Sequence, residues 1–408
     1  MKILFVAMSE SIHTTRWIAQ IADQGWALHL FPAIDYGVVN QEMRGVTVYH
    51  SVYARPPQMD ASVKTRGLNV ELPVFKTRRY EQRRKIASAL RVYLQYTRPF
   101  YREKALVDVI RKVKPDIIHS LNMQYGAYLT LAARDTLTAA GETFPTWIVT
   151  NWGSDIHLYG RLAEHQPKIQ RVLELCDYYS CECVRDIELA KSHGLQGQVL
   201  PIVPNTGGLD MEKAARLRAP GQTSARKQII IKGYQHFAGR ALVALKAVEM
   251  CADVLQDYKI TLFSAFPDVQ LAAELLRHDT GLNIEFLPAV THDEMLQQYG
   301  QSRVYIGLSI SDAISTSMIE AMSMGTFPIQ SCTACTDEWL VDGETGFAVT
   351  PEDPHVVAAA LRRAVTDDAL VDAAAERNFQ VCAERLNQQK VRAATHDYYR
   401  IVMEGLRA

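Results

Sequence analysis

RVYIGLSISDAISTSMIEAMSMGTFPIQS, Arg303 to Ser331, decides the reading of the chain. It opens on a short apolar run, 303–309, and closes on another, 325–331. Both have the length and the β-branched or aromatic content of buried strands. The apolar stretch after Ser315 has the pattern of a helix. Strand, helix and strand in this order form a parallel α/β unit. The polar chemistry lies at the turn. Asp312 and Glu320 stand eight positions apart, with Ser315, Thr316 and Ser317 between them. Ser and Thr at a helix start satisfy backbone donors that have no intrahelical acceptor. The same start favours an anion, because free N–H groups and the helix dipole point at it. The segment thus offers one carboxylate before the helix, an anion cradle at its start and a second carboxylate two turns in. That set suits a ligand with hydroxyls at both ends and phosphate in the middle. A plain capped helix of an α/β domain is the other reading of the same residues.

The rest of the chain repeats the alternation. Strand candidates in the first half are 2–8, 27–33, 46–51, 116–121, 146–151, 177–182 and 198–203, with helices at 14–24, 81–112, 125–140 and 185–193. The second half restarts at 227–233 and continues with 258–264, 282–288, 303–309 and 325–331. A polar, Gly-, Pro- and Ala-rich stretch separates the halves. The tail from Leu370 onward reads as helices without a strand. The expected division is 1–204, a linker 205–226, a second domain 227–385 and a final helix 386–408 that packs on the first domain. The 408 residues fit two or three domains. No apolar run approaches the ~18 residues that span a bilayer. The start, MKILFVAMSES, is too short for a secretory signal and reads as a first strand. Seven cysteines, few and odd in number, argue against a disulfide scaffold and for the cytosol. Cys332-x2-Cys335 lacks a second pair or a matching His cluster, and reads as two thiols. No G-x-G-x-x-G follows the first strand and no Walker loop occurs, which removes the main support for a dinucleotide dehydrogenase.

The net charge is −1, but it is spread unevenly. From Val52 to Asp116 there are sixteen Lys and Arg against six Asp and Glu. Lys76, Arg78, Arg79, Arg83, Arg84 and Lys85 lie there among Tyr80, Tyr93, Tyr96, Phe100 and Tyr101. Three readings stay open: contact with an anionic membrane, an anionic acceptor, or a solvated face. Nucleic acid fits poorly, since the remainder of the chain is acidic and carries no binding motif.

The segment Ser309–Gly346 resembles the retaining GT-B glycosyltransferases of the family 4 type. Their common signature has two Glu residues around Gly-Phe-Gly, and the second opens Glu-Ala-Met. Here the first carboxylate is Asp312, the next three residues are Ala313, Ile314 and Ser315, and the second half is intact from Glu320 to Gly325. The resemblance implies an α/β GT-B fold: two Rossmann-like domains facing a cleft, with C-terminal helices crossing back to the first. It implies that Glu320 takes ribose hydroxyls and Asp312 donor-sugar hydroxyls. Ser315, Thr316 and Ser317 would meet the diphosphate. The loop at Pro288 and Ala289, in FLPAVTHDEM, would lie along the base.

The family's phosphate-binding segment carries Arg after a glycine and Lys about five positions on. Here Tyr234 and Gly239 stand at those places, with Arg240 and Lys232 close by. Arg240 is the first choice for the leaving diphosphate, because a guanidinium holds phosphate oxygens bidentately. Lys232 is second. On the acceptor side the resemblance points to His13, after the first strand, and to Asp155 in TNWGSDIHLYG, where Trp152 stands in place of the usual His. His119 and Asn122 lie at another strand end. No Asp-x-Asp occurs, so a metal-free reaction without a bound cofactor is expected. The implied activity is a retaining transfer of a sugar from a nucleotide-diphosphate donor to a glycan or lipid-linked acceptor. The implied place is the cytoplasm, with a peripheral contact to the inner face of the membrane. A non-catalytic GT-B subunit that binds a partner transferase and a nucleotide-sugar epimerase remain as alternatives.

Overall fold

A computed structural model describes residues 1–51, 62–67, 93 and 100–407. The chain divides into two units, Met1–Gly207 with Arg392–Ala408, and Gly208–Val391. Among the described residues no helix is long and apolar enough to cross a membrane. The basic residues 76–85 lie outside the described residues, so the three readings of that stretch stay where the sequence left them.

The first unit is built on one parallel sheet. Its strands are β1 (Lys2–Ala7), β2 (Ala27–Pro32), β3 (Val46–His50), β4 (Lys64–Gly67), β5 (Ile117–Leu121), β6 (Thr146–Thr150), β7 (Tyr178–Ser180) and β8 (Gln198–Val199). They lie in the order β4-β3-β2-β1-β5-β6-β7-β8, and every pairing is parallel. The chain winds outward from β1 to β4, then restarts on the other side of β1 at β5. Loops after β1 and β5 therefore diverge, and such a switch point is where open α/β sheets bind ligands. Ile3 to Ala7 are all buried, as expected of a central strand covered on both faces. β4 was not expected from the sequence: Lys-Thr-Arg-Gly has no apolar content, and backbone pairing to β3 alone makes it an edge strand. The helix expected over 81–112 is described only as Phe100–Val113. Arg102, part of the basic stretch, is buried there and donates to Ser51 Oγ at 2.8 Å and to the Pro32 carbonyl. A helix at Gln166–Leu175, missed in the sequence, buries Ile169, Val172 and Leu173 at helical spacing.

The second unit holds β9 (Gln228–Lys232), β10 (Lys259–Phe263), β11 (Asn283–Leu287), β12 (Val304–Gly307), β13 (Phe327–Ser331) and β14 (Phe347–Val349). Their order is β11-β10-β9-β12-β13-β14, again all parallel. Ile229, Ile230 and Ile231 are fully buried in the centre. The switch point falls between β9 and β12. The stretch read as a linker, 205–226, is more than a connector: its Gly208–Arg226 part belongs to this unit and contains the helix Met211–Leu217. Arg226 is buried and donates through Nη1 to the Ser302 and Met324 carbonyls, both at 3.2 Å. Two helices, Pro354–Thr366 and Asp368–Arg385, complete the unit.

The last helix, Gln388–Gly405, takes the chain back to the first unit from Arg392 onward. What holds it is a buried aromatic group. Trp17 Nε1 donates to the Tyr399 hydroxyl at 2.9 Å, and that hydroxyl meets His119 Nδ1 at 2.7 Å. His119 Nε2 meets Thr150 Oγ1 at 2.6 Å. One direction of donation satisfies all four groups: Trp17 to Tyr399, Tyr399 to Nδ1, and a proton on Nε2 to Thr150. His119 thus lies under the returning helix and does not line an open strand end, as the sequence had suggested. Burial holds it at about 3, well below the usual histidine value.

His119 is therefore neutral in the fold and protonates readily only when unfolded. Its contribution to stability is complete above the unfolded value near 6.5 and is lost as pH falls toward the folded value of about 3. The stability gap between the wild type and His119→Gln should narrow on acidification. From pH 7 to pH 5 chemical denaturation should record a loss of about 2 kcal/mol of that gap. A gap that is flat over this range would mean that His119 carries no such penalty.

Candidate functional site

The sequence elements with most chemistry converge at the switch point of the second unit. β9 ends on Lys232, and Gly233 follows. A Cβ at Gly233 would lie 2.5 Å from Ala265 Cα, so the chain passes the β10 loop only without a side chain. Beyond it the loop folds onto the end of β12. Arg240 N donates to the Leu308 carbonyl at 3.0 Å and Ile310 N to the Ala238 carbonyl at 3.0 Å, forming an antiparallel bridge between Gly239 and Ser309. His236 Nδ1 accepts from the amides of Ala238 (3.1 Å) and Gly239 (3.3 Å). Burial and the neighbouring Lys232 hold His236 below the usual histidine value, which suits an acceptor nitrogen.

Lys232 sits among the acidic groups. Its Nζ lies 4.7 Å from the centroid of the Tyr234 ring. Burial alone would lower its pKa. Tyr305 and Asp312, then Tyr234 and Glu320, outweigh that and raise it above the ordinary lysine value. The amine is thus cationic and held by the field of both signature carboxylates. Arg240 is placed differently. Its Nη1 donates to the carbonyls of Ala238 (3.2 Å) and Gly239 (2.9 Å), and its Nε pairs with Glu352 at 3.3 Å. In this structure Arg240 thus binds its own loop and Glu352, while Lys232 feels the field of both carboxylates. The reason is steric. At Gly239, where the family pattern has Lys, a Cβ would lie 2.3 Å from the Tyr234 carbonyl oxygen, so the loop is closed too tightly for a side chain.

The helix Thr316–Ser323 begins as expected, but Ser315 does not cap it. No side chain makes a cap hydrogen bond there, and Ser315 Oγ lies 3.4 Å from the Tyr305 hydroxyl instead. The Ser315 carbonyl accepts from Met318 (2.9 Å) and Ile319 (3.1 Å). The amides of Thr316 and Ser317 occupy the first turn, where a helix supplies no acceptor. Asp312 is half-buried, and its Oδ1 accepts from the Ala313 amide at 3.0 Å. Glu320 is only 8% exposed, and its Oε1 receives His292 Nε2 at 2.8 Å. His292 was not among the expected site residues. Pro288 and Ala289 are exposed at the end of β11, four and three positions before it.

The first unit positions its own candidates. Ser11 caps the helix Ile12–Ala19 by accepting from the His13 amide at 3.2 Å. The half-buried His13 ring meets Trp152 edge-on, 5.7 Å between centroids. Asp155 is a tie between turns. Its Oδ1 accepts from Asn122 Nδ2 (2.8 Å), and its Oδ2 from the amides of Met123 (3.0 Å) and Trp152 (3.0 Å). The residue is 3% exposed, and burial pushes its carboxyl up to about 6 against the pull of those donors. In the structure the partners of both Asp155 carboxylate oxygens are internal ones. Asn122 adopts φ +79° with ψ +139°, outside the left-handed helical well and rarely taken by residues other than glycine. All seven cysteines are thiols, and only Cys332 is exposed.

Residues 243–381 match the family model described as glycosyl transferases group 1. No curated protein matches the chain. Solved structures match it over nearly its whole length. Sucrose-phosphate synthase from Thermosynechococcus elongatus is 14% identical, with 99% of this chain and 100% of that one covered and a TM-score of 0.68. The Anabaena protein Alr3699/HepE, solved in complex with UDP and glucose, is 14% identical over 97% and 98% of the two chains, with a TM-score of 0.63. A glycosyltransferase from Rickettsia africae is 13% identical over 98% of each, with a TM-score of 0.63. At such identities the likeness establishes the fold, and that fold is GT-B.

The closed loop gives a direct test. Gly239→Ala should force Tyr234 and Gly239 apart and open the bridge to Ser309, at a cost of roughly 1–3 kcal/mol for an overpacked position. Hydrogen exchange at the Arg240 and Ile310 amides should accelerate, while Ile229–Ile231 stay protected. Unchanged protection at Arg240 would mean that the loop does not depend on a bare Cα at this place.

Proposed function

We propose, on the premise that the second unit belongs to the glycosyl transferases group 1 family, that the protein moves a sugar from a nucleoside-diphosphate donor to an acceptor hydroxyl with retention at the anomeric carbon. The observation that carries this reading is the start of the helix Thr316–Ser323, which no side chain caps, with Asp312 before it and the buried Glu320 within it, both of which help to raise the Lys232 amine above its ordinary value. Diphosphate would sit on the amides of Thr316 and Ser317, with Lys232 as its counter-charge. Negative charge grows on the leaving diphosphate as the glycosidic bond breaks, and a fixed cation there lowers the barrier. Glu320 would hold the ribose hydroxyls and Asp312 those of the donor sugar. Pro288 and Ala289 would lie along the base. The leaving phosphate oxygen takes the acceptor proton on the same face, so the route needs no enzyme nucleophile. Arg240 would serve only after leaving its loop carbonyls. His13 and Trp152 would shape the acceptor side, and Asp155 would keep the turns around them in place.

A glycan or lipid-linked acceptor fits the basic, aromatic stretch around 76–104 on charge alone. The same charge supports a peripheral contact with an anionic membrane face, since each cation near such a surface contributes ~1 kcal/mol. Sedimentation with anionic and neutral vesicles at two salt concentrations separates the two. Equal partitioning to both lipids would leave a solvated face or an acceptor groove as the better account.

Calorimetry with UDP, GDP and ADP tests donor binding. Glu320→Ala should fold and lose roughly tenfold or more in affinity for the diphosphate that binds, the equivalent of one hydrogen bond to a charged group. Lys232→Met should lower kcat by ~100-fold, the range seen when a preorganised charge stabiliser is removed. Arg240→Ala should lower it far less. Equal losses from the two cation variants would contradict the assignment of Lys232. Binding without turnover on any acceptor would favour a non-catalytic subunit.

A further inference from the structure

We propose that His292 is a positioning residue for the donor: it sets the Glu320 carboxylate so that the ribose hydroxyls find it in place. The inference rests on the donor reading above and assigns a role that neither the sequence signature nor the fold supplies. His292 Nε2 and Glu320 Oε1 are 2.8 Å apart although the residues are 28 positions distant in the chain. A carboxylate only accepts, so the proton lies on Nε2 and the imidazole donates.

The two sides of the pair differ in a way that fits positioning. The Glu320 side chain is 11% exposed and sits on the helix Thr316–Ser323, most of whose residues are buried, while the His292 side chain is 34% exposed. The carboxylate is the member that a bound ligand would desolvate further, and the imidazole is the member that reaches it from the rim. His292 itself is anchored. It is the first residue of the helix His292–Gln301, and the preceding Thr291 forms a full capping box with Glu294. Glu294 Oε2 accepts from the Thr291 amide at 2.8 Å and from its hydroxyl at 2.7 Å. Next to it Asp293 pairs with Lys213. The imidazole is therefore held on a rigid helix start, directly after the Pro288–Ala289 loop assigned to the base. One short segment would thus contact the base through its loop and orient the ribose carboxylate through its histidine. A side chain that removes the rotamer freedom of a carboxylate before binding lowers the ordering cost of the bound state.

The test compares the wild type, His292→Ala and His292→Gln. Glutamine places an amide donor at a reach similar to Nε2. The ligands are whichever of UDP, GDP and ADP binds the wild type most tightly, and the 2′,3′-dideoxy form of the same nucleotide. His292→Ala should weaken the ribonucleotide ~10-fold, the equivalent of one charge-assisted hydrogen bond. It should leave the dideoxy nucleotide within about twofold, because the hydroxyls that Glu320 holds are gone. His292→Gln should recover most of the loss. In turnover assays the alanine variant should raise KM for the donor and leave kcat nearly unchanged, as loss of uniform binding does. Equal weakening of both nucleotides would overturn the proposal, because His292 would then act on the fold or the base. Unchanged ribonucleotide affinity in His292→Ala would overturn it alone and leave the donor reading intact. Failure of the wild type to bind any of the three diphosphates would overturn the donor reading and this proposal together.

Discussion

The backbone bridge between Gly239 and Ser309 is the constraint on which the donor-side geometry depends. Parallel sheets reverse their winding at one place, and in the second unit that place lies between β9 and β12. Loops leaving there usually diverge. Here the β9 loop bends across and pairs with the first residues after β12, because Gly233 and Gly239 have no side chains to obstruct it. The pairing fixes Lys232 beside the Asp312 turn. It also uses the guanidinium of Arg240 on the loop's own carbonyls.

The charge of the site follows from that closure. A buried lysine beside apolar walls tends to lose its proton. Lys232 keeps it because Tyr305, Asp312, Tyr234 and Glu320 all favour the cation. Preorganisation recurs on the other unit, where Asp155 locks the turns after β5 and β6 through three N–H donors. There the acidic group stabilises the turns themselves, whereas Asp312 lies in the loop after β12 and Glu320 within the helix that follows it.

The fold was legible where burial is local. Runs such as Ile229–Ile231 can only be central strands, and the helix after Ser315 shows its start in the sequence. The strands that went unread are edges: Lys64–Gly67 is polar and exists through pairing, and Phe347–Val349 is apolar but only three residues long. The site was legible in residue type and less so in direction. Glu320 was found, but its partner His292 was not, since nothing local links positions 28 apart. Arg240 was read as a phosphate ligand from its residue type, and its contacts with Glu352 and its own loop carbonyls could not be read there. His119 and Asp155 sat at strand ends, where sequence places ligand contacts. Tyr399 from the tail covers the first, and Asn122 with two amides holds the second. Long-range partners entered each of these, though Arg240 also binds the carbonyls of Ala238 and Gly239 beside it and Asp155 the amide of Trp152.

A crystal structure with the bound nucleoside diphosphate tests the central claim most directly. The account predicts the diphosphate at the first turn of Thr316–Ser323, Lys232 Nζ within hydrogen-bond distance of a phosphate oxygen and the ribose on Glu320. A diphosphate bound to Arg240 with Lys232 still turned to Asp312, or a nucleotide held away from this helix start, would contradict it.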